Sequence, residues 1–197
     1  MHARLTTISG SANSTKETRK QIGELMPKLR ELPGLEGGAF LQNEAGRVVA
    51  LTLFSSKDEL VASREEATKQ REMATKQIGA TIESVEEFEL IGEAGGSREG
   101  ATHARVTVVD GPSERRDEGR RMITEQVIPA AKQIPGLQAG YWLADEASSR
   151  MAGVVLFSSE QALRDSRERA ERLRQAAVEQ LDATIISVDE FEVIGTV

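Results

Sequence analysis

The strongest constraint on the fold of this chain is that it repeats itself. Residues 2–10, "HARLTTISG", return as residues 103–111, "HARVTVVDG", 101 positions later. The turn "LPGLEGG" returns as "IPGLQAG", and Pro27 matches Pro129, at an offset of 102. "LFSS" at residues 53–56 returns at 156–159, an offset of 103. That last offset holds without a gap over residues 54–94, with 21 identities in 41 aligned pairs. The offset grows by one before the first helix and again between "NEAGR" and "DEASSR". Both places read as loops, where insertions are tolerated. The chain therefore divides into a first repeat, residues 1–94, a Gly-rich polar linker, 95–101, and a second repeat, 102–197.

Each repeat predicts the same elements. "ARLTTI" and "ARVTVV" are β-branched runs, hence strands. Ile22, Leu25, Met26, Leu29 and Leu32 recur at helical spacing, and Ser14 with Glu17 forms a capping-box pattern ahead of them. Pro27 and Pro129 fall inside this first helix and are expected to bend or interrupt both copies at equivalent points. "LEGGAFLQ" and "RVVALTLF" predict a hairpin. A second helix is expected from Lys57 to about Gly79, with Leu60, Ala67, Ala74 and Ile78 inward, and "TIESVEEFELI" closes the unit as a strand. The order βαββαβ is the ferredoxin-like split pattern. Both third strands, "VVALTLF" and "MAGVVLF", are apolar at nearly every position, so both of their faces must be covered. Helices reach one face only. The fold class expected is α+β, two ferredoxin-like repeats packed sheet to sheet, with helices outside.

Charge and composition exclude several functions. A net charge of -7 and a pI near 5.1 oppose binding to nucleic acid or an anionic membrane. Tandem βαββαβ units invite comparison with RNA-recognition domains. Where those carry stacking aromatics on the third strand, this chain has Val49 and Leu51, or Ala152 and Val154. The absence of cysteine removes disulfides and thiolate chemistry. No apolar leader opens the chain, and no run approaches the roughly 20 apolar residues of a membrane span. A soluble cytoplasmic protein is expected, with no nucleic-acid or membrane partner.

The turn "PGLEGG"/"PGLQAG", the strand-to-helix step "LFSSKDELVAS"/"LFSSEQALRDS" and the closing "EEFELIG"/"DEFEVIG" resemble the antibiotic-biosynthesis-monooxygenase-like domains of the dimeric α+β barrel superfamily. The resemblance spans both repeats, and implies that a pairing usually made between chains is here made within one. The family includes cofactor-free oxygenases of aromatic polyketides and haem-degrading enzymes. The latter need an axial histidine on the second helix, whereas the two histidines here, His2 and His103, open the first strands. The resemblance thus implies no cofactor and no metal. Its oxygenases hold substrate with pocket aromatics. Here the one Trp and one Tyr, Trp142 and Tyr141, both fall on the second strand of the second repeat, where the first repeat has Phe40 and Ala39.

The candidate residues each carry two readings. His103, like His2, is either a general base or oxyanion partner, or a strand end preserved by duplication. Arg105, like Arg4, either binds a carboxylate or phenolate, or pairs with Glu190 or Glu192 (Glu87 or Glu89 in the first repeat). Tyr141 and Trp142 point to opposite faces of their strand, so that one faces the helices, as ligand contact or as core. Ser166, like Ser63, either leaves room for a cavity or permits close helix packing. The charged run "SREEATKQREMATKQ" reads as a solvated helix face. The functional expectation is a cofactor-independent monooxygenase-like or isomerase-like protein acting on a small apolar or aromatic molecule. His103 and Arg105 would be catalytic, with Tyr141, Trp142 and Ser166 at the substrate. The alternative is a non-catalytic small-molecule-binding or structural protein on the same fold.

Overall fold

The computed structural model describes residues 1–10 and 15–197. The first repeat runs β1 (His2–Ser9), α1 (Thr15–Arg30), β2 (Leu35–Gln42), β3 (Val48–Phe54), α2 (Lys57–Ala62), α3 (Arg64–Ile78) and β4 (Thr81–Gly95). The second runs β5 (His103–Asp110), α4 (Arg116–Met122), a π-helical turn (Ile123–Val127), α5 (Ile128–Ala131), β6 (Leu137–Ala144), β7 (Met151–Phe157), α6 (Glu160–Asp165), α7 (Arg167–Leu181) and β8 (Thr184–Thr196). The strand order β1-β3-β2-β8-β5-β7-β6-β4 closes into a barrel. This is the α+β barrel of two ferredoxin-like repeats that the duplication predicts.

Two compact units share the chain: residues 1–88 with 192–197, and residues 89–191. The final strand of each repeat is long enough to end in the other unit. In unit one, Ala39–Gln42 of β2 pair with Thr196–Glu192 of β8. In unit two, Glu89–Gly95 of β4 pair with Ala144–Ala139 of β6.

Within unit one, β3 runs between β1 and β2 and is antiparallel to both. One sheet face carries Ile8, Phe40 and Val48 against Ile22, Leu25, Met26 and Leu29 of α1. The opposite face carries Leu5, Leu41, Val49, Leu51 and Leu53, all buried. That double burial explains the missing polar alternation in "VVALTLF". In unit two, β7 shows the same pattern between β5 and β6.

The repeated Pro-Gly turn has a packing reason. Gly34 and Gly136 adopt positive φ, +66° and +76°. A side chain on Gly34 would also collide with Glu59, and one on Gly136 with Ala162, in the first turn of the following helix. Glycine is thus needed for conformation and for close approach. Each turn carbonyl accepts from the residue that follows the second strand of the hairpin, Ser55 N–H after β3 to Gly34 and Ser158 N–H after β7 to Gly136, both at 2.9 Å. Ser56 Oγ and Ser159 Oγ cap the helices by accepting from the amides of Glu59 (3.2 Å) and Ala162 (3.1 Å).

Three expectations need correction. The second helix of each repeat is not continuous: it breaks at Ser63 and at Ser166. Pro27 lies inside an uninterrupted α1, so the two first helices are not broken at equivalent points. Only the second copy is interrupted, by the π-helical turn ahead of Pro129, where Ile128 N–H bonds the carbonyl of Ile123. Finally, the extra residue of the second repeat sits inside that helix rather than in the loop before it. Thr18 and Gly119, both buried, and Ile22 and Ile123 correspond at an offset of 101, whereas Met26 and Ile128, then Leu32 and Ile134, correspond at 102. One residue is therefore gained across residues 123–127. A single π turn absorbs one extra residue without losing the inward face on either side. The Ser14 cap and the side chain of Ile78 lie outside what the structure describes. No helix among the described residues is long and apolar enough to cross a membrane.

Candidate ligand cavity in unit two

Arg105 stands near the start of β5 with its side chain on the helix side of the sheet, 4% exposed. A buried guanidinium needs its donors satisfied, and here they are. Nε and Nη2 donate to Glu190 Oε1 at 3.2 and 2.8 Å, Nη1 to Ser166 Oγ at 3.0 Å, and Nη2 also to the Leu163 carbonyl at 3.0 Å. The guanidinium carbon sits 5.6 Å from the ring centre of Phe157. The Ser166 hydroxyl itself donates to the Leu163 carbonyl at 2.7 Å, which makes the helix break a fixed acceptor for Arg105. Arg167 grips the other side of Glu190, with contacts of 2.5 to 3.1 Å.

Unit one carries the same assembly. Arg4 reaches Glu87, Ser63 Oγ and the Leu60 carbonyl and lies over Phe54, and Arg64 takes the second side of Glu87. Of the two readings of these arginines, the ion pair is what the geometry contains. The partners are Glu190 and Glu87; Glu192 and Glu89 pair instead with Arg19 and Arg120. Burial pushes the Glu190 carboxyl up. Hydrogen bonds from Arg167 and Arg105, and then their charges, outweigh it and leave the group below the ordinary glutamate value. Glu87 is lowered by the same balance, with Arg64 and Arg4.

Beside this network, between the helix-side face of β5, β6 and β7 and the helices α4, α5 and α7, lies a cavity of about 150 Å³. Trp142 and Phe157 lie on its sheet side, Met122 and Ile123 on one helical wall, and Leu173 and Val178 on the other. The Trp142 ring rests on two glycines: Gly140, where a Cβ would come within 2.8 Å of the indole, and Gly153, its cross-strand partner. The first repeat pairs Phe40 with Ala50 in the corresponding register. The equivalent cavity in unit one is smaller, about 90 Å³. The π turn contributes to the difference, since its residues Ile123 and Val127 face the larger cavity.

The cavity brings together two of the five residues singled out from sequence, Trp142 and Arg105. Ser166 lies behind Arg105 as its acceptor. Tyr141 is on the opposite sheet face, 4% exposed, and its hydroxyl accepts from Arg98 Nη1 at 3.1 Å. His103 sits at the strand's first residue, with Nδ1 2.9 Å from Thr102 Oγ1, outside the lining. Among the described residues, no His, Asp, Glu, Lys, Cys or Tyr lines the cavity.

Sequence reasoning missed Arg174 of α7, which borders both the apolar cavity and an open polar depression formed with Arg167, Glu171 and Glu190. Burial, and then the positive charge of Arg105, lower its pKa, only partly offset by Glu171 and Glu190. The signal for it was present: Arg71 and Arg174 are identical at the offset of 103.

No family model matches the chain. An uncharacterised protein of Mycobacterium tuberculosis is 26% identical over 191 residues, spanning 92% of this chain and 84% of its own. Among solved structures, an anthrone oxidase-like protein superposes with a TM-score of 0.65 at 15% identity, over 100% of this chain and 92% of its own. A ferredoxin-fold protein of Listeria monocytogenes related to antibiotic biosynthesis monooxygenases gives 0.58 at 11% identity, over 97% and 94%. At these identities the shared property is the fold alone.

Proposed function

We propose that unit two binds a small apolar or aromatic molecule in the cavity beside Trp142. The observation carrying this reading is the asymmetry of the duplication. The second repeat alone combines a tryptophan laid flat on two glycines, a π turn that widens the helical wall, and the larger cavity. An apolar cavity of this kind is the usual form of a small-molecule site. The structural neighbours described as anthrone oxidase-like and as related to antibiotic biosynthesis monooxygenases support monooxygenase-type chemistry as the finer reading. Because the lining carries no group that takes up a proton near neutral pH, such chemistry fits a substrate that enters already ionised. Binding without turnover is the second reading, favoured by the same lining and by the full engagement of Arg105. Both readings take the chain to be cytoplasmic, in keeping with its acidic, cysteine-free composition.

The single tryptophan makes the test direct. Small aromatic compounds should perturb its fluorescence saturably, and Trp142→Leu should weaken their binding in calorimetry more than Phe40→Leu does. If no aromatic, quinone or aliphatic compound perturbs the emission or produces heat, unit two is not a ligand site.

A further inference from the structure

Resting on the reading of this cavity as a ligand site, we infer that its ligand is a small carboxylate whose apolar body is about the size of one aromatic ring, and that Arg174 receives the carboxylate.

The first observation is an unspent cation. Arg105 has its fork filled by Glu190, Ser166 and Leu163, and Arg115, the third arginine at the cavity, is held by Glu118 through two bonds of 3.0 Å. Arg174 makes no hydrogen bond and no direct ion pair among the described residues, although it is half-buried. Its counterpart in unit one is engaged: Arg71 Nη2 donates to Thr68 Oγ1 at 2.8 Å. The residue corresponding to Thr68 is Glu171, which is exposed and makes no bond to Arg174. A guanidinium offers parallel N–H donors that match a carboxylate's two oxygens.

The second observation is where this cation stands. Arg174 borders the apolar cavity on one side and the polar depression on the other. A ligand can therefore bury an apolar body beside Trp142 and keep its charged end at the boundary with water. No acidic side chain lines the apolar cavity to repel it, and the carboxylate nearest Arg105 and Arg167, Glu190, is already shared between those two arginines; the acidic Glu171 and Asp189 stand on the side of the polar depression. The lowered pKa of Arg174 is driven by burial and then by the charge of Arg105.

The third observation is size. A dry cavity of about 150 Å³ is the scale that accommodates benzene, and the cavity here is about 150 Å³. A single ring fits; a fused tricyclic body does not fit without displacing α4 or α7.

The test compares isosteres that differ only in charge. Benzoate and 4-ethylbenzoate, against benzamide and 4-ethylbenzamide, are titrated into the full-length protein by Trp142 fluorescence and calorimetry, with 2-anthracenecarboxylate as the size probe. The wild type should prefer carboxylate over amide by about tenfold or more, the scale of one charge-assisted pair. Arg174→Met should reduce that preference to within about threefold, Arg174→Lys should restore part of it, and Arg71→Met should leave it intact. The anthracene acid should bind at least tenfold more weakly than 4-ethylbenzoate. Equal binding of acids and amides by the wild type would overturn the carboxylate assignment while leaving the cavity as a ligand site. A preference that survives Arg174→Met would overturn the role of Arg174. Binding of none of the compounds would overturn the ligand site itself, and this inference with it.

Discussion

Replacing Glu190 by glutamine removes the one carboxylate that Arg105 and Arg167 share, with almost no change in shape. Taking away one member of a buried ion pair costs about 3–5 kcal/mol, because the remaining charge stays buried without compensation. Two features of this site reduce that figure. The Glu190 side chain is 26% exposed while that of Arg105 is 4% exposed, so water reaches one end of the pair. The amide oxygen of the substituted side chain can still accept part of the three bonds now made to Oε1. A loss of about 2 kcal/mol is therefore expected, equivalent to a fall in Tm of roughly 4–8 °C for a chain of this size. Glu87→Gln should cost about the same, because Arg4 and Arg64 enclose Glu87 in the same geometry. Glu192→Gln is the control: its partner Arg19 is 3.6 Å away and both side chains are about half exposed. Such a pair contributes less than about 1 kcal/mol. Urea denaturation of the three variants, with the slope monitored for constancy, measures this. If Glu190→Gln is no more destabilising than Glu192→Gln, the duplicated arginine network is not what joins β5 to the break between α6 and α7.

The same network sets the response to acid. The folded-state pKa values of Glu87 and Glu190 lie below their unfolded values, so their contribution is complete above the unfolded glutamate value of about 4.3 and is lost as pH falls through the folded values. The Glu87→Gln/Glu190→Gln double variant should show a flatter loss of stability below that pH than the wild type; parallel profiles would contradict the assignment. Asp182 ends α7 in a left-handed conformation, φ +53°, where the first repeat places Gly79 at +64°. Asp182→Gly should raise stability by about 0.5–1 kcal/mol, since glycine adopts this region without the Cβ penalty, and a lowered Tm would refute that reading.

The duplication made most of the fold legible. Two copies of one pattern located the turns, the strands and the doubly buried β3 and β7, because each copy corroborated the other. What stayed hidden was where the copies differ. A one-residue gain in a sequence does not mark its own position, and only the shared burial of Thr18 and Gly119 together with the π turn at Ile123–Val127 places it inside a helix. The breaks at Ser63 and Ser166 were equally invisible, because a serine in a charged, helix-favouring run carries no stop signal; its role as an acceptor for a distant arginine is a tertiary fact. Of the cavity, Trp142 and Arg105 were legible as rare or out-of-place residues. Arg174 was not, because an arginine in a run of charges reads as solvated until the helix is seen to turn it towards the sheet.

The five methionines offer a direct measurement of the central claim, that the second repeat holds the ligand cavity. Met122 and Met151 line it, Met26 packs beside Gly195 in unit one, and Met1 and Met73 are about half exposed. With methyl-labelled methionine, titration with 4-ethylbenzoate should shift the Met122 and Met151 resonances saturably and leave those of Met26 and Met73 unmoved. Shifts at Met26 equal to those at Met122 and Met151, or no saturable shift at either cavity residue, would contradict it.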